Sequence, residues 1–433
     1  MRRISTQPRL LLWIDRYLGS PLCLLLTAVR SLAGPSPTAA RPRSILFLKL
    51  AEQGSTVLAY DALAAAVARV GRENVYFLAF EENRFVVDLL RVLPPANVLP
   101  VETRSPGAMV RSTWRLLREI RRRRIDACID LEFFTRSSAL LAVLTGARIR
   151  VGFHTYFGEG PYRGNLMTHR MLYNPHLHTS ETFLSLVQAL DVPPVQFPTV
   201  GFRPPPPLPL PAFQPTDAER EEVRALLQRN AERARPEIAL QPSQRVGDHA
   251  LHPAPGRVVL LNANCSDLLP LRKWPDANYV ALAQRLIDSH ADLTVVFTGS
   301  TDEMTRVQQL AAAVASPRAI SLAGQTTLRQ LLVLYCLAEI LITNDSGPAH
   351  FAALTPIDAI ALFGPETPLL FAAHGPRSHP LWAGIACSPC VNAFNSRQSA
   401  CRNNVCMQQI SVAQVGELAD QILGTRSKGG ALQ

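Results

Sequence analysis

The chain lacks an apolar run of membrane-spanning length at its N-terminus, where one would be read as an anchor. RLLLWIDRYLGSPLCLLLTAVRSLAG (9–34) is interrupted by Asp15 and Arg16. Its charge-free part, Tyr17 to Val29, falls well short of the roughly 20 residues a spanning helix needs. MRR…SLAG imitates a signal peptide only loosely. No zinc finger, RNA-binding aromatic signature or other nucleic-acid module accompanies the formal charge of +10, so no nucleic-acid partner is expected. That charge points instead to membrane phospholipid or a phosphorylated ligand. Charged residues make up only 18% of the chain against 47% hydrophobic, which excludes general disorder and supports packed cores. At 433 residues, two domains of middling size are expected.

What is present begins with that N-terminal segment. Its flanking arginines, Trp13 and Tyr17 suit a helix lying in a membrane interface. The competing expectation is a helix packed on the protein's own body. GPSPTAARPR (34–43) reads as a linker. Beyond it, short apolar runs alternate with helical patterns. Strands are expected at 44–50, 74–80, 97–101, 125–132 and 148–153, with helices at 57–70, 83–92, 108–124 and in TRSSALLAVLTGA. A second series places strands at 257–264, 293–299, 319–324, 339–345 and 359–364. Such alternation argues for βαβ units and parallel sheets.

Between the series, RPPPPLPLPAF (203–213) is too rich in proline to pair or to coil, and reads as an extended connector. A charged helix at 217–235 and a loop at 236–256 follow. The expected architecture is α/β: an N-terminal segment and linker (1–42), a doubly wound domain (43–202), a connecting region (203–256), a second doubly wound domain (257–415) and a helical tail (416–433). In such folds ligands bind outside the carboxyl ends of the strands.

LITNDSGPAHFAAL (341–354) lies at such an end. Leu341–Thr343 close a strand, and Pro348 opens a helix at a position where its missing N–H costs nothing. Asn344, Asp345, Ser346 and Gly347 therefore face the positive end of a helix, a place suited to phosphate. Asp345 would repel a bare phosphate, so it is expected to take sugar hydroxyls or a proton; the plainer alternative is that Asp345 and Ser346 cap the helix.

NDSGPAHFAALTPIDAIALFGPETP (344–368) resembles the signature of glycosyltransferase family 9, the bacterial heptosyltransferases, with its N-D-[ST]-G-P-x-H loop and A-L-F-G-P segment. LRKWPDANYVALAQRL (271–286) is similar to the family's K-x-W-P helix start, and SALLAVLTGARIRVGF (138–153) to the end of its N-terminal domain. The resemblance spans roughly 43 to 415. It implies a GT-B fold, two Rossmann-like domains facing each other across a cleft. The C-terminal domain would hold a nucleotide-diphosphate sugar, ADP-heptose by family default, and the N-terminal domain a membrane-linked saccharide acceptor. It also implies inversion at the anomeric carbon. Carried over by position, Asp345, Ser346, Gly347 and His350 would line the donor's sugar and diphosphate, Lys273 would neutralise phosphate, and Glu303 would take ribose hydroxyls. Their plainer readings are an exposed helix-start lysine, a first-turn glutamate and a half-buried helix histidine. No DxD-type carboxylate pair stands near the donor signature, which favours a metal-independent reaction requiring no cofactor.

The chain departs from the family at its first strand. There L-x-x-x-G-D supplies the aspartate assigned as general base, whereas KLAEQGSTVLAYDA carries Gly54 and then Ser55 at that place. A serine hydroxyl is no base at neutral pH without activation. Glu52 is the nearest carboxylate and is taken as the replacement base, with Asp61 further along the helix. The departure keeps open a catalytically silent sugar-nucleotide-binding protein of surface polysaccharide assembly. A nucleotide-sugar epimerase or hydrolase on the same frame is the other alternative.

Arg111, Arg115, Arg118 and Arg122 form one helical stripe, a solvated face or a surface for anionic lipid. With the N-terminal segment, it points to a peripheral enzyme on the cytoplasmic face of the inner membrane. Cys23, Cys128, Cys265 and Cys336 lie in apolar contexts. Cys387, Cys390, Cys401 and Cys406 crowd together with a zinc-like C-x2-C start but a second pair spaced by four, leaving structural zinc or plain thiols as the alternatives.

Overall fold

Apolar runs buried on both faces dictate parallel sheets, because helical crossovers must cover each side. A computed structural model describes residues 13–32, 41–155, 162–193, 200–201, 204–234, 256–266 and 269–429. Residues 1–12 of the N-terminal segment, 33–40 of the linker, Arg203, most of the 236–256 loop and the last four residues lie outside it.

The chain divides into two compact units. The first runs to Pro211 and includes Leu369–Phe371 and Cys390–Ala400. Its strands are β1 (Ile45–Leu48), β2 (Val75–Phe80), β3 (Val98–Val101), β4 (Ala127–Asp130), β5 (Ile149–His154) and β6 (His169–Leu172). All pair in parallel, in the order β3-β2-β1-β4-β5-β6. The second unit comprises Ala212–Pro368, Ala372–Pro389 and Cys401–Gln433. It holds β7 (Arg257–Asn262), β8 (Leu293–Phe297), β9 (Ala319–Ser321), β10 (Ile340–Asn344), β11 (Asp358–Phe363) and β12 (Ser378–Trp382). Read from β9 to β12, its parallel sheet repeats the same order.

That order is the doubly wound one. It reverses direction between β1 and β4 and between β7 and β10, and at each reversal the flanking helices leave to opposite faces and open a crevice at the strand ends. The α/β expectation holds in both units.

Three details differ from expectation. The edge strands β6 and β12 have no counterpart in the sequence reading. β6 carries His169 and Arg170, and β12 is only partly buried and contains Pro380, which an edge tolerates. The single helix expected at 57–70 is two, Gln53–Leu58 and Tyr60–Val70, and the first begins immediately after Glu52. The charged helix, Asp217–Ala234, is an integral part of the second unit: Val223 and Leu227 are buried, and Glu219 and Glu222 bond to Arg329 and Gln330 of helix Leu328–Leu337. At the other end, helix Val412–Gly429 buries Val415, Ala419 and Leu423 in the same core.

Candidate active site

In the first unit, the crevice between β1 and β4 is floored by charge. Lys49, directly after β1, is fully buried. Its Nζ lies 3.1 Å from Glu132 Oε2 and 3.3 Å from Glu52 Oε2. Burial pulls the lysine pKa down, but Glu132 and Glu52 outweigh it and the net direction is upward, so Lys49 stays charged. Glu132 also accepts the backbone N–H groups of Leu50 (2.8 Å) and Ala51 (3.2 Å), fixing the turn after β1. Behind it, Asp130 pairs with the buried Arg163 and accepts from Ser138 Oγ at 2.8 Å.

Glu52 carries the sharpest backbone feature of this crevice, a left-handed conformation (φ 66°, ψ 80°) that costs a non-glycine residue energy. The turn aims its carboxylate at three partners: Lys49, the guanidinium of Arg397, and Ser55 Oγ, which donates to Oε2 at 3.3 Å and to the Glu52 carbonyl at 2.9 Å. Arg397 belongs to the returning 390–400 segment, which is pinned by Phe394 stacked on Phe134 (5.4 Å) and by Arg397 over the Phe371 ring. Glu52 and Ser55 are thus brought together, with Gly54 buried between them. Asp61 is occupied elsewhere, accepting the Leu208 N–H of the proline-rich connector at 3.1 Å.

In the second unit, the crevice between β7 and β10 gathers the donor-side residues. Asn344, fully buried, accepts from the Trp274 N–H (2.9 Å) and Tyr279 Oη (3.1 Å), and donates to the Asn264 carbonyl (3.1 Å). These bonds tie the end of β10 to the start of helix Asp276–Ser289 and hold the Arg272–Lys273 turn against it.

Asp345, 4% exposed, follows at once. Arg272 Nε lies 3.6 Å from its Oδ2, and Arg272 Nη1 donates to its carbonyl at 3.2 Å. The same guanidinium reaches Glu366 Oε2 at 2.5 Å, and Glu366 is 2% exposed. One arginine therefore serves two buried carboxylates, and its single positive charge offsets the repulsion that Asp345 would exert on a phosphate only in part. Lys273 is half-buried and its Nζ has no ion-pair partner among the described residues, leaving a cation beside the crevice.

Ser346 turns its hydroxyl back to the Asn344 carbonyl (3.0 Å) and to Thr343 Oγ1 (3.3 Å). Ser346 gives no side-chain cap to the helix Gly347–Ala352. A Cβ on Gly347 would meet only the Phe351 ring at ordinary contact distance, so no protein neighbour demands glycine there. His350 is buried at 7% exposure. Glu303 closes a capping box: its Oε2 accepts both the backbone N–H and Oγ of Ser300 at 2.8 Å. Among the described residues, then, Glu303 acts as a helix-start glutamate.

The four C-terminal thiols make contacts of their own. No group of three or more metal-ligating side chains occurs among the described residues. Cys406 is buried, and its Sγ lies 3.0 Å from where a Cβ on Gly364 would be. Cys390 Sγ accepts from Ser399 Oγ at 3.5 Å, and Cys401 Sγ donates to the Asn403 carbonyl. Cys390 belongs to the first unit and the other three to the second, and none of the four is in a disulfide.

Sequence reasoning passed over Arg272, Glu366, Lys49, Glu132 and Arg397. For Lys49 a signal existed: the chain has only three lysines, and Lys49 follows a strand end as Lys273 precedes a helix start.

Residues 213–400, less than half the chain, match the glycosyltransferase family 9 (heptosyltransferase) profile. The lipopolysaccharide heptosyltransferase 2 of Salmonella typhimurium is 34% identical over 102 residues, covering 23% of this chain and 29% of that protein. The lipopolysaccharide heptosyltransferase 3 of Escherichia coli is 25% identical over 159 residues, 37% of this chain and 45% of that protein. The chain thus aligns with well under two thirds of these curated relatives' lengths. Among solved structures, the E. coli ADP-heptose lps heptosyltransferase II superposes with a TM-score of 0.62 at 19% identity, covering 89% of this chain and 99% of that one. E. coli heptosyltransferase WaaC with ADP gives 0.55 at 14% identity, covering 88% of this chain and 99% of that one. The GT-B fold and the resemblance to family 9 are shown.

Proposed function

We propose that this chain, similar to the heptosyltransferases of family 9, moves a sugar from a nucleotide-diphosphate donor to a hydroxyl of a lipopolysaccharide or other membrane-linked saccharide, with inversion. The observation that carries the reading is the constellation at the end of β10, which lies within the stretch matching the family: Asp345 and Glu366 on Arg272, with Lys273 beside them. Lys273 and the start of helix Gly347–Ala352 stabilise the leaving diphosphate without metal. Asp345, sharing Arg272 with Glu366, accepts sugar hydroxyls. Ser346, Gly347 and His350 shape the same pocket, and Glu303 offers Oε1 to the ribose. ADP-heptose is the first donor to try, given the names of the relatives. The enzyme works peripherally at the cytoplasmic face of the inner membrane; no helix among the described residues is long and apolar enough to cross one.

Glu52 takes the acceptor proton. Its carboxylate pairs with Lys49 and Arg397, and Ser55 donates to it and orients it. Glu52→Gln should lower turnover by roughly 10² to 10⁴, the usual worth of a general base, while leaving donor binding intact. The assay is nucleotide release plus sugar incorporation with a lipid A core acceptor. Undiminished turnover in Glu52→Gln would remove Glu52 from the mechanism. The same double ion pairing favours one other reading, a donor-binding protein that performs no transfer. It would bind donor and release no nucleotide, whereas a hydrolase or epimerase would consume donor without acceptor.

A further inference from the structure

One side of the first unit carries most of its exposed grease. The crossovers β3→β4 and β4→β5 run in the same direction along the sheet, so their helices, Pro106–Arg123 and Arg136–Leu144, lie on one face. The N-terminal helix joins them. It has a π-turn at Asp15–Gly19 and an α-helical body at Ser20–Leu32. It is docked firmly: Cys23 is fully buried in the same core cluster as Leu116, Ile120 and Ala139. Asp15 accepts the N–H groups of Ser137 (2.7 Å) and Arg136 (3.2 Å) at the start of the neighbouring helix. Gly19 fits against Arg136, where a Cβ would stand 2.8 Å from Arg136 Cβ. Gly164, at φ +72°, fits under Thr27 and Cys23.

Docking uses only one stripe of that helix. Of the sixteen large hydrophobic side chains exposed among the described residues, twelve lie on these three helices. They include Trp13, Tyr17, Leu25 and Val29 on the first and Trp114 on the second, each more than half exposed. Cations flank them: Arg16 on the N-terminal helix, and Arg111, Arg115, Arg118 and Arg122 exposed on Pro106–Arg123, with Arg118 over the Trp114 ring at 5.2 Å. Isolated exposed apolar residues need no explanation; a patch of this extent, rimmed mainly by arginines, of which Arg115 pairs with Glu102 at 3.1 Å, does.

We propose that this three-helix face is the protein's membrane-docking surface, and that its occupant is an anionic phospholipid bilayer. The aromatic and aliphatic side chains enter the headgroup boundary, and the arginines bind lipid phosphates with their stems laid along the apolar surface. Charge complementarity selects the bilayer over a second copy, because two copies of this face would set the arginine stripes against each other. The surface is independent of the donor site, so either reading can fail alone.

The test is co-sedimentation of the full chain with phosphatidylcholine vesicles, with and without phosphatidylglycerol. The expected result is salt-sensitive binding that needs the anionic lipid. Leu25→Glu with Val29→Glu should reduce partitioning at least about tenfold, and each of Arg111→Glu and Arg118→Glu by about fivefold or more. These side chains are exposed, so an unchanged melting temperature verifies folding. Failure of the wild-type chain to bind anionic vesicles would overturn the proposal, as would binding indifferent to all four substitutions. Dimerisation in sedimentation velocity that Leu25→Glu/Val29→Glu abolishes, without vesicle binding, would assign the face to a second copy instead.

Discussion

Replacing Lys49 by methionine tests the charged floor of the first crevice. The side chain is fully buried, and its ammonium serves two carboxylates at 3.1 and 3.3 Å. Methionine fills much of the same space but strands Glu132, which is 8% exposed. Breaking a buried pair by removing one partner costs roughly 3–5 kcal/mol. Glu132 keeps the Leu50 and Ala51 N–H groups, which places the cost near the lower end, about 3 kcal/mol. For a unit of this size that is a fall of about 6–12 °C in its melting transition.

Calorimetry of the full chain, following the transition of the first unit, reads it out. Lys49→Met with Glu132→Gln should recover a large part of the loss, because an uncharged pair leaves no stranded ion. The pH dependence has a definite sign. The folded pKa of Lys49 is raised, so its contribution is complete below the unfolded value of about 10.4 and is lost only as pH rises through the folded one. The deficit of Lys49→Met should therefore be flat from about pH 6 to 9. A single variant within about 0.5 kcal/mol of wild type, or a double variant whose losses simply add, would refute the reasoning.

Two further expectations concern the second unit. Arg272→Met leaves Asp345 and Glu366 buried on one another's charge, so it should cost more stability than Asp345→Asn, by about 2 kcal/mol or more in thermal unfolding. A chelator should leave the melting temperature unchanged and the purified protein should carry less than one zinc per chain by elemental analysis, in line with the lack of any group of three metal-ligating side chains among the described residues; a stoichiometric metal would support the structural-zinc expectation instead.

The alternation of apolar runs and helical patterns reveals both sheets because buried parallel strands write an unbroken hydrophobic signal. It stops at the edges, where β6 and β12 are half-solvated and mixed in composition. The turn Asn344–Gly347 and Lys273 stand out because they are adjacent in sequence to a strand end and a helix start. Arg272 and Glu366 do not, since their significance comes from a guanidinium meeting two carboxylates from separate loops. The same holds for Arg397, 345 residues from Glu52 in sequence. Glu303 is legible in its plainer role, since Ser300 followed three residues later by Glu303 is a capping-box pattern and the bonds to Ser300 form it. The N-terminal segment packs one stripe on the protein, as the second of its two expectations has it, and leaves the other stripe exposed.

Thermal stability of the purified chain against a panel of ADP-, UDP-, GDP- and CMP-sugars, beside Asp345→Ala and Lys273→Ala, tests the central claim most directly. A donor supplied at 100 times its dissociation constant should add about 2.7 kcal/mol to the wild-type protein. That stabilisation should appear for one nucleotide class, ADP-heptose first, and vanish in both variants. A folded wild-type chain that responds to none of the donors, or a response that survives in both variants, would contradict a donor site at the end of β10.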